Sequence, residues 1–128
     1  MKMWAGRFEK ELDSAINDFN SSISFDWVMY KEDIAGSMAH AGMLAAQGII
    51  PEVDEAAILV GLEGSFAGLE RGDLQINSAA EDIHKCIEQT LNSRICEAGK
   101  RLHNACSRKD QLVLHLRLYL KDKVVYLA

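Results

Sequence analysis

The sequence predicts an all-α fold without a β-sheet. Apolar residues recur at intervals of three and four along most of the chain, which is the spacing of amphipathic helices. Hydrophobic residues make up 48% of the 128 residues, enough to form a buried core, and Pro51 is the single proline. The predicted loops are short, and short loops favour antiparallel packing of neighbouring helices.

The first two predicted helices are separated by a polar segment. The first is expected within residues 9–20, where apolar residues recur at helical spacing. Asp26 is expected to cap the second helix, because a short acidic side chain can accept a hydrogen bond from a free backbone N–H group. Gly48 is a natural stop for that helix. Its apolar face is formed by Ile34, Met38, Ala41 and Ala45.

Two further helices follow, each with its own start and stop signals. Pro51 fits the first turn of the third helix, and Gly72 is expected to end it. Ser78, with Glu81 three residues later, has the pattern of a capping box and predicts the start of a fourth helix. Gly99 is expected to break the fourth helix. The two apolar stripes are Ile58, Leu62, Phe66 and Leu69, and then Ile83, Ile87, Leu91 and Ile95.

The last segment has two possible structures. Leucine alternates with other residues from Leu112 to Leu120, which is typical of a strand. However, leucine, lysine and arginine are good helix formers, and no β-branched residue lies between Leu114 and Lys123. We therefore expect a helix here. Such a helix would be apolar on nearly all sides, which is typical of a helix buried in a large core or an oligomer.

Composition and charge exclude several classes of protein. The net charge is −5 and there is no basic run, so no nucleic-acid partner is expected. There is no stretch of about 18 uncharged apolar residues, so no membrane helix is expected. The first seven residues lack the apolar part of a secretion signal, and the three cysteines form no Cys-x-x-Cys pair. We therefore expect a cytoplasmic protein with free thiols.

Three polar clusters are candidates for chemistry, and each has a plainer structural explanation. Residues 19–26 could bind a ligand or cap helix ends. Asp82, His84 and Glu88 could do acid–base chemistry or bind a metal, or could lie on a solvated helix face. The polar residues 99–111 need partners from the protein or from a ligand, unless they form an exposed loop. No phosphate-binding loop, nucleophile elbow or zinc spacing is present, so no cofactor or metal is expected.

Five motifs, taken in order, give the chain a family resemblance. Any one of them would be weak, but together and at this spacing they are specific. They are residues 4–8, 20–26, 33–40, 81–84 and 102–111, the last followed by residues 116–118. On these motifs, residues 4–122 resemble the N-terminal part of argininosuccinate lyase, a member of the fumarase/aspartase superfamily.

The resemblance implies a reaction, a domain organisation and an assembly. Members of this family split the small molecule argininosuccinate into arginine and fumarate by β-elimination, without a cofactor. Residues 1–110 would form a helical N-terminal domain, and residues 111–128 would begin a long helix of a central bundle. The family is a homotetramer whose active sites take residues from three subunits, which would explain a helix that is apolar on nearly all sides.

The resemblance carries substrate-binding roles onto six positions. Ser22 matches a serine that contacts the substrate, and Arg108 would face a substrate carboxylate. Lys109 stands where the family has a substrate-binding asparagine, so it keeps a donor but loses the amide's acceptor. The other implied substrate-binding residues are Asp82, His84 and Ser107.

Other positions depart from the family's pattern. Cys106 replaces an arginine, and His115 stands where an aspartate is usual. The family's acid histidine and the catalytic serine of its flexible loop have no counterpart before Ala128, so no catalytic residue is expected in this chain. The first hypothesis is therefore an incomplete lyase that contributes binding residues. The alternative is an inactive helical module that oligomerises with itself or with a full-length lyase.

Overall fold

We describe the chain from a computed structural model, in which residues 13–128 are described. Every regular element among these residues is helical, so the expected all-α fold is confirmed. A one-turn 3₁₀ helix, Trp27–Met29, joins the second helix to the third. The α-helices are α1 (Ser14–Asn20), α2 (Ile23–Asp26), α3 (Tyr30–Ala46), α4 (Glu52–Arg71), α5 (Ile83–Ile95), α6 (Glu97–Lys100) and α7 (Arg108–Leu127).

The first predicted helix is confirmed from Ser14 onward. Asp13 caps it, because its carboxylate accepts a hydrogen bond of 2.9 Å from the backbone N–H of Ala15. The earlier part of that predicted helix, and the motif at residues 4–8, lie outside the described residues.

The core is built from α3, α4 and α5. Helix α3 packs against α4, α5 and α7, and α4 packs against α5 and α6. Burial of apolar side chains between these helices is the main favourable contribution to folding. It also holds the start of α5 close to the end of α2 and the start of α7. Among the most deeply buried core residues are Leu44, Ile58, Leu62, Ile83 and Leu91.

Several predicted helix ends are confirmed. Gly48 follows the end of α3 with a φ of 68°, and Gly72 caps α4 with a φ of 76°. These left-handed conformations suit glycine, which has no Cβ to clash with the backbone. Pro51 directly precedes α4, where its missing N–H group costs no helical hydrogen bond.

Two predicted helix caps are wrong. Asp26 ends α2 instead of starting a helix, and its carboxylate accepts a hydrogen bond of 3.1 Å from Ile83 N–H. Ser78 lies in an exposed turn, and α5 begins after Asp82, whose Oδ1 accepts a 2.8 Å hydrogen bond from Lys85 N–H. Both aspartates accept hydrogen bonds from backbone N–H groups at the start of α5. Ser78 therefore does not cap a helix.

The break after α5 also lies earlier than predicted. It occurs at Cys96, which has a φ of 50°, and Gly99 lies buried inside the short helix α6. A Cβ on Gly99 would clash with the side chain of Asn92. Gly99 is therefore required by close packing of α6 on α5, not by a helix stop.

The final segment is the helix α7, so the strand alternative is wrong. His115 is its one buried residue, and most of its large apolar side chains are exposed. Among the exposed ones are Val113 at 55%, Leu116 at 49%, Leu120 at 50% and Val124 at 63%. None of the helices within residues 13–128 has both the length and the apolar character needed to cross a membrane.

The close packing of α4 on α5 gives a test of the fold. A Cβ on Gly61 would lie 2.6 Å from Cδ1 of the fully buried Leu91, so Gly61→Ala should lower the free energy of unfolding by about 1–3 kcal/mol. Gly42 is the matched control, because its Cβ would meet only Oε1 of Glu55 at 3.5 Å. Gly42→Ala should stabilise the chain by about 0.5–1 kcal/mol. Urea unfolding followed by circular dichroism measures both, and stabilisation by Gly61→Ala would contradict the packing.

Candidate functional site

The N-terminus of α5 is held by polar groups from three parts of the chain. The backbone N–H of Ser22 donates to the carbonyl of Glu81 at 2.8 Å, and Ser22 Oγ donates to Asp26 Oδ2 at 2.6 Å. The other oxygen of Asp26 accepts from the first backbone N–H group of α5. We call the following residues the α5 junction: Ser22, Asp26, Glu81, Asp82 and Arg108.

Asp82 connects α5 to α7. It is 2% exposed, and while its Oδ1 caps α5, its Oδ2 bonds to Nη2 of Arg108 at the start of α7. Nη1 of Arg108 donates to Oε1 of Glu81 at 3.2 Å. One guanidinium is therefore shared between two carboxylates, which suits its fork of parallel donors.

The α5 junction contains more carboxylates than cations. Burial raises the pKa of Asp26, the hydrogen bond from Ser22 opposes that shift, and the negative charge of Asp82 adds to it. The positive charge of Arg108 lowers the same pKa, but less. Three acidic side chains thus depend on one arginine and on backbone N–H groups for their compensation.

A second buried group lies beside the α5 junction. His84 of α5 meets Asp33 of α3 and His115 of α7, and these side chains are 7%, 2% and 2% exposed. Nδ1 of His84 is in close contact with Asp33 Oδ1, and Nδ1 of His115 lies 3.1 Å from the same oxygen. The ring centroids are 4.2 Å apart and the rings are tilted by 48°. We call Asp33, His84 and His115 the histidine–aspartate cluster.

Burial controls the protonation of this cluster. It raises the pKa of Asp33 well above its usual value, and the negative charge of Asp82 acts in the same direction. Burial lowers the pKa of His84, although Asp82 opposes that shift. Burial and the neighbouring His84 lower the pKa of His115 to about 3. Both imidazoles are therefore neutral at pH 7, and their ring nitrogens are available as acceptors or ligands.

An open cleft reaches the cluster from the surface. Asp33 and His84 line it, together with the polar side chains of Glu88, His103 and Gln111. Its apolar walls include Leu62, Ile87, Leu91 and Leu102. The cleft connects the buried carboxylate and imidazole to solvent, and its lining offers both charged and hydrogen-bonding groups.

The structure brings three of the six predicted substrate-binding residues together and places the other three next to them. Ser22, Asp82 and Arg108 share the α5 junction, and His84 lies in the adjacent cluster. Ser107 and Lys109 are exposed at the start of α7. There Ser107 has a local role, because its backbone N–H donates at 2.7 Å to the carboxylate of Asp110.

The structure tests two of the structural explanations given above for the polar clusters. The solvated-face interpretation of His84 with Glu88 is wrong, because His84 is buried between α3 and α7. Capping does explain Asp26, but at the start of α5 and not at the helix that follows it. Asp33 and His115 were not predicted as site residues. In the sequence, Asp33 is part of a family motif and His115 stands where an aspartate is usual. Neither feature predicts that the two side chains meet.

Comparison with known proteins establishes the family. A family profile described as Lyase matches residues 6–127. The chain belongs to this lyase family. It is 52% identical over 125 residues to the argininosuccinate lyase of Lachnospira eligens (strain ATCC 27750 / DSM 3376 / VPI C15-48 / C15-B4), and 55% identical over 124 residues to that of Moorella thermoacetica (strain ATCC 39073 / JCM 9320). The argininosuccinate lyase of Desulforamulus reducens (strain ATCC BAA-1160 / DSM 100696 / MI-1) is 49% identical over 125 residues.

These matches cover almost all of this chain but a minor part of each relative. They span 98%, 97% and 98% of the chain, and 27% of each of the three relatives. The resemblance found from the motifs is thus confirmed over nearly the whole chain. The chain spans about a quarter of the length of the curated relatives it matches.

The role of Asp82 at the α5 junction can be tested by unfolding. Asp82→Ala removes a helix cap and leaves Arg108 without one partner, so it should cost about 2–4 kcal/mol. Asp110→Ala is the matched control, because it removes an exposed carboxylate that also bonds a backbone N–H at a helix start. That change should cost about 0.5–1 kcal/mol. Equal losses in urea unfolding would mean that the contact between Asp82 and Arg108 adds nothing.

Proposed function

We propose that this chain supplies substrate-binding residues to an argininosuccinate lyase, which splits argininosuccinate into arginine and fumarate. The observation that carries the proposal is the meeting of Ser22, Asp82 and Arg108 at the α5 junction. These residues come from separate motifs, and the family resemblance implies a substrate-binding role for each. The identity of about half to relatives named argininosuccinate lyase supports the same activity.

The chemistry of the proposed substrate fits this part of the surface. Argininosuccinate carries carboxylates, and its cleavage gives fumarate, a dicarboxylate. Arg108 uses Nη1 and Nη2 for Glu81 and Asp82, and a guanidinium with five N–H donors keeps others for a substrate oxygen. Lys109 and Ser107 are exposed beside it, so they add a cation and a hydroxyl at the same helix start.

Assembly into a cytoplasmic homotetramer is part of this proposal. The exposed apolar side chains of α7, Val113, Leu116, Leu120 and Val124 among them, supply the surface that subunits would share. Cys86, Cys96 and Cys106 are all free, which suits a reducing compartment. We propose that neighbouring subunits complete the active site.

The second candidate function is a catalytically inactive module that assembles through α7. Two observations favour it. Arg108 is already paired with Glu81 and Asp82, and these negative charges disfavour an anionic substrate. Lys109 is a mobile point charge, whereas the family's asparagine presents a planar amide.

A chimera separates the two candidates. The 125 matched residues of the Lachnospira eligens relative would be replaced by this chain, and fumarate release would be followed by absorbance. The proposed activity predicts a working enzyme with reduced kcat/KM. Lys109→Asn should raise that value about 10- to 100-fold, because a hydrogen bond to a charged substrate group is worth about 1.5–3 kcal/mol. Arg108→Met should remove most of the activity.

The oligomeric state of the chimera distinguishes lost chemistry from failed folding. A chimera that has the size of the parent relative but releases no fumarate would contradict the proposed activity. If Lys109→Asn and Cys106→Arg together then restore nothing, the inactive module is the better description. Gly42→Ala is a suitable neutral control, because Gly42 has no role at the α5 junction.

Self-association of the 128-residue chain follows from the surface of α7. We expect sedimentation to give a species larger than a monomer, because so many large apolar side chains of α7 lie in solvent. Leu120→Glu should shift the chain toward monomer. Val60→Glu is the matched control, because Val60 is 69% exposed on α4, and it should leave the oligomeric state unchanged. A native chain that sediments as a monomer would rule out this role for α7.

A further inference from the structure

We propose that Asp33, His84 and His115 bind a divalent transition-metal ion of the zinc class. Each offers one ligand atom, and these atoms all lie within 4.8 Å of one another. Two imidazole nitrogens and a carboxylate oxygen are a donor set that zinc prefers in proteins. This inference goes beyond the proposed lyase activity and shares with it only His84, one of the six predicted substrate-binding residues. Metal titration and fumarate release therefore test the two proposals separately.

The three ligands come from three different helices. Asp33 lies in α3, His84 in the first turn of α5 and His115 in the second turn of α7. Ligand atoms around a tetrahedral zinc ion stand about 3.3 Å apart, given bonds of about 2.0 Å. The 3.1 Å between Nδ1 of His115 and Oδ1 of Asp33 already matches this spacing.

Two imidazole nitrogens of this cluster converge on one carboxylate oxygen. Oδ1 of Asp33 is buried and has no hydrogen-bond partner among the described residues, although two ring nitrogens lie next to it. Nε2 of His84 is also buried without a partner there. The buried carboxylate oxygen of Asp33 needs compensation, and a cation between the three side chains would provide it.

Carboxylates near the histidine–aspartate cluster favour a bound cation, and the open cleft gives a path from solvent to the cluster. The negative charges of Asp82, Asp26 and Glu88 all act on Asp33, so this region repels an isolated carboxylate and attracts a cation. The open cleft is lined by Asp33 and His84, and also by Glu88. A metal held by three protein ligands would therefore keep a position open toward the cleft.

The bound ion would join α3, α5 and α7, of which α5 and α7 are already linked by the contact between Asp82 and Arg108. His115 is the one buried residue of α7, and it sits over Gly36 of α3. A Cβ on Gly36 would lie 3.3 Å from Nε2 of His115, so the glycine leaves room for the ring. The ion would fix α7 against α3 and α5, and its binding energy would stabilise the folded chain.

The test is a titration of the chelator-treated chain with Co²⁺ and Zn²⁺. We expect one ion per chain, visible Co²⁺ bands of a low-coordinate nitrogen and oxygen site, and a higher thermal midpoint with Zn²⁺. His115→Asn should weaken binding by more than about tenfold, because it removes a ligand. His40→Asn is the matched control, because His40 bonds the carbonyl of Asn104 away from the cluster, and it should bind as the native chain does.

Three results would overturn the proposal. They are binding below one ion per chain, an ultraviolet thiolate band showing that cysteines hold the ion, and equal affinity in His115→Asn and the native chain. Circular dichroism establishes that each variant remains helical. If His115→Asn does not fold, Asp33→Asn takes its place, and unchanged affinity in that variant also counts against the site.

Discussion

The contact on which the rest of the site depends is the one between Asp82 and Arg108. Asp82 caps α5 with one oxygen and holds the first residue of α7 with the other. Because α5 starts beside the end of α2, the same point also fixes Ser22, through the carbonyl of Glu81. A cap that is ordinarily local thus connects three separate segments. Both groups are substantially buried, so neither can give up its partner cheaply.

The direction of α7 follows from this starting point. Once Arg108 is held, two turns of helix bring His115 over α3, where Gly36 allows the ring to approach closely. The side of α7 that meets α3 contains that polar residue and Leu114, and most of the other large apolar residues of α7 are exposed. Within residues 13–128, the exposed apolar residues of α7 have no apolar partner that covers them. The proposed assembly of subunits would cover this apolar surface.

The sequence predicts the helices well and the contacts between them poorly. Periodicity identified α3, α4 and α5, and Gly48 and Gly72 marked two ends because a left-handed residue has a local signature. The capping box at Ser78 predicted the wrong start for α5. That pattern depends only on neighbouring residues, whereas the first N–H groups of α5 are bonded by Asp26 and Asp82. The meeting of Asp33 with His115 depends on how α7 crosses α3. No local sequence pattern predicts how α7 crosses α3, so the histidine–aspartate cluster could be identified only from the three-dimensional structure.

The most direct test of the link between α5 and α7 is a double-mutant cycle with Asp82→Asn and Arg108→Met. The free energies of unfolding of the native chain, both single variants and the double variant give the coupling between the two side chains. A coupling of about 1–3 kcal/mol is expected, because the pair is largely buried and charge-assisted. Additive losses, with a coupling below about 0.3 kcal/mol, would mean that the contact does not hold α7 in place.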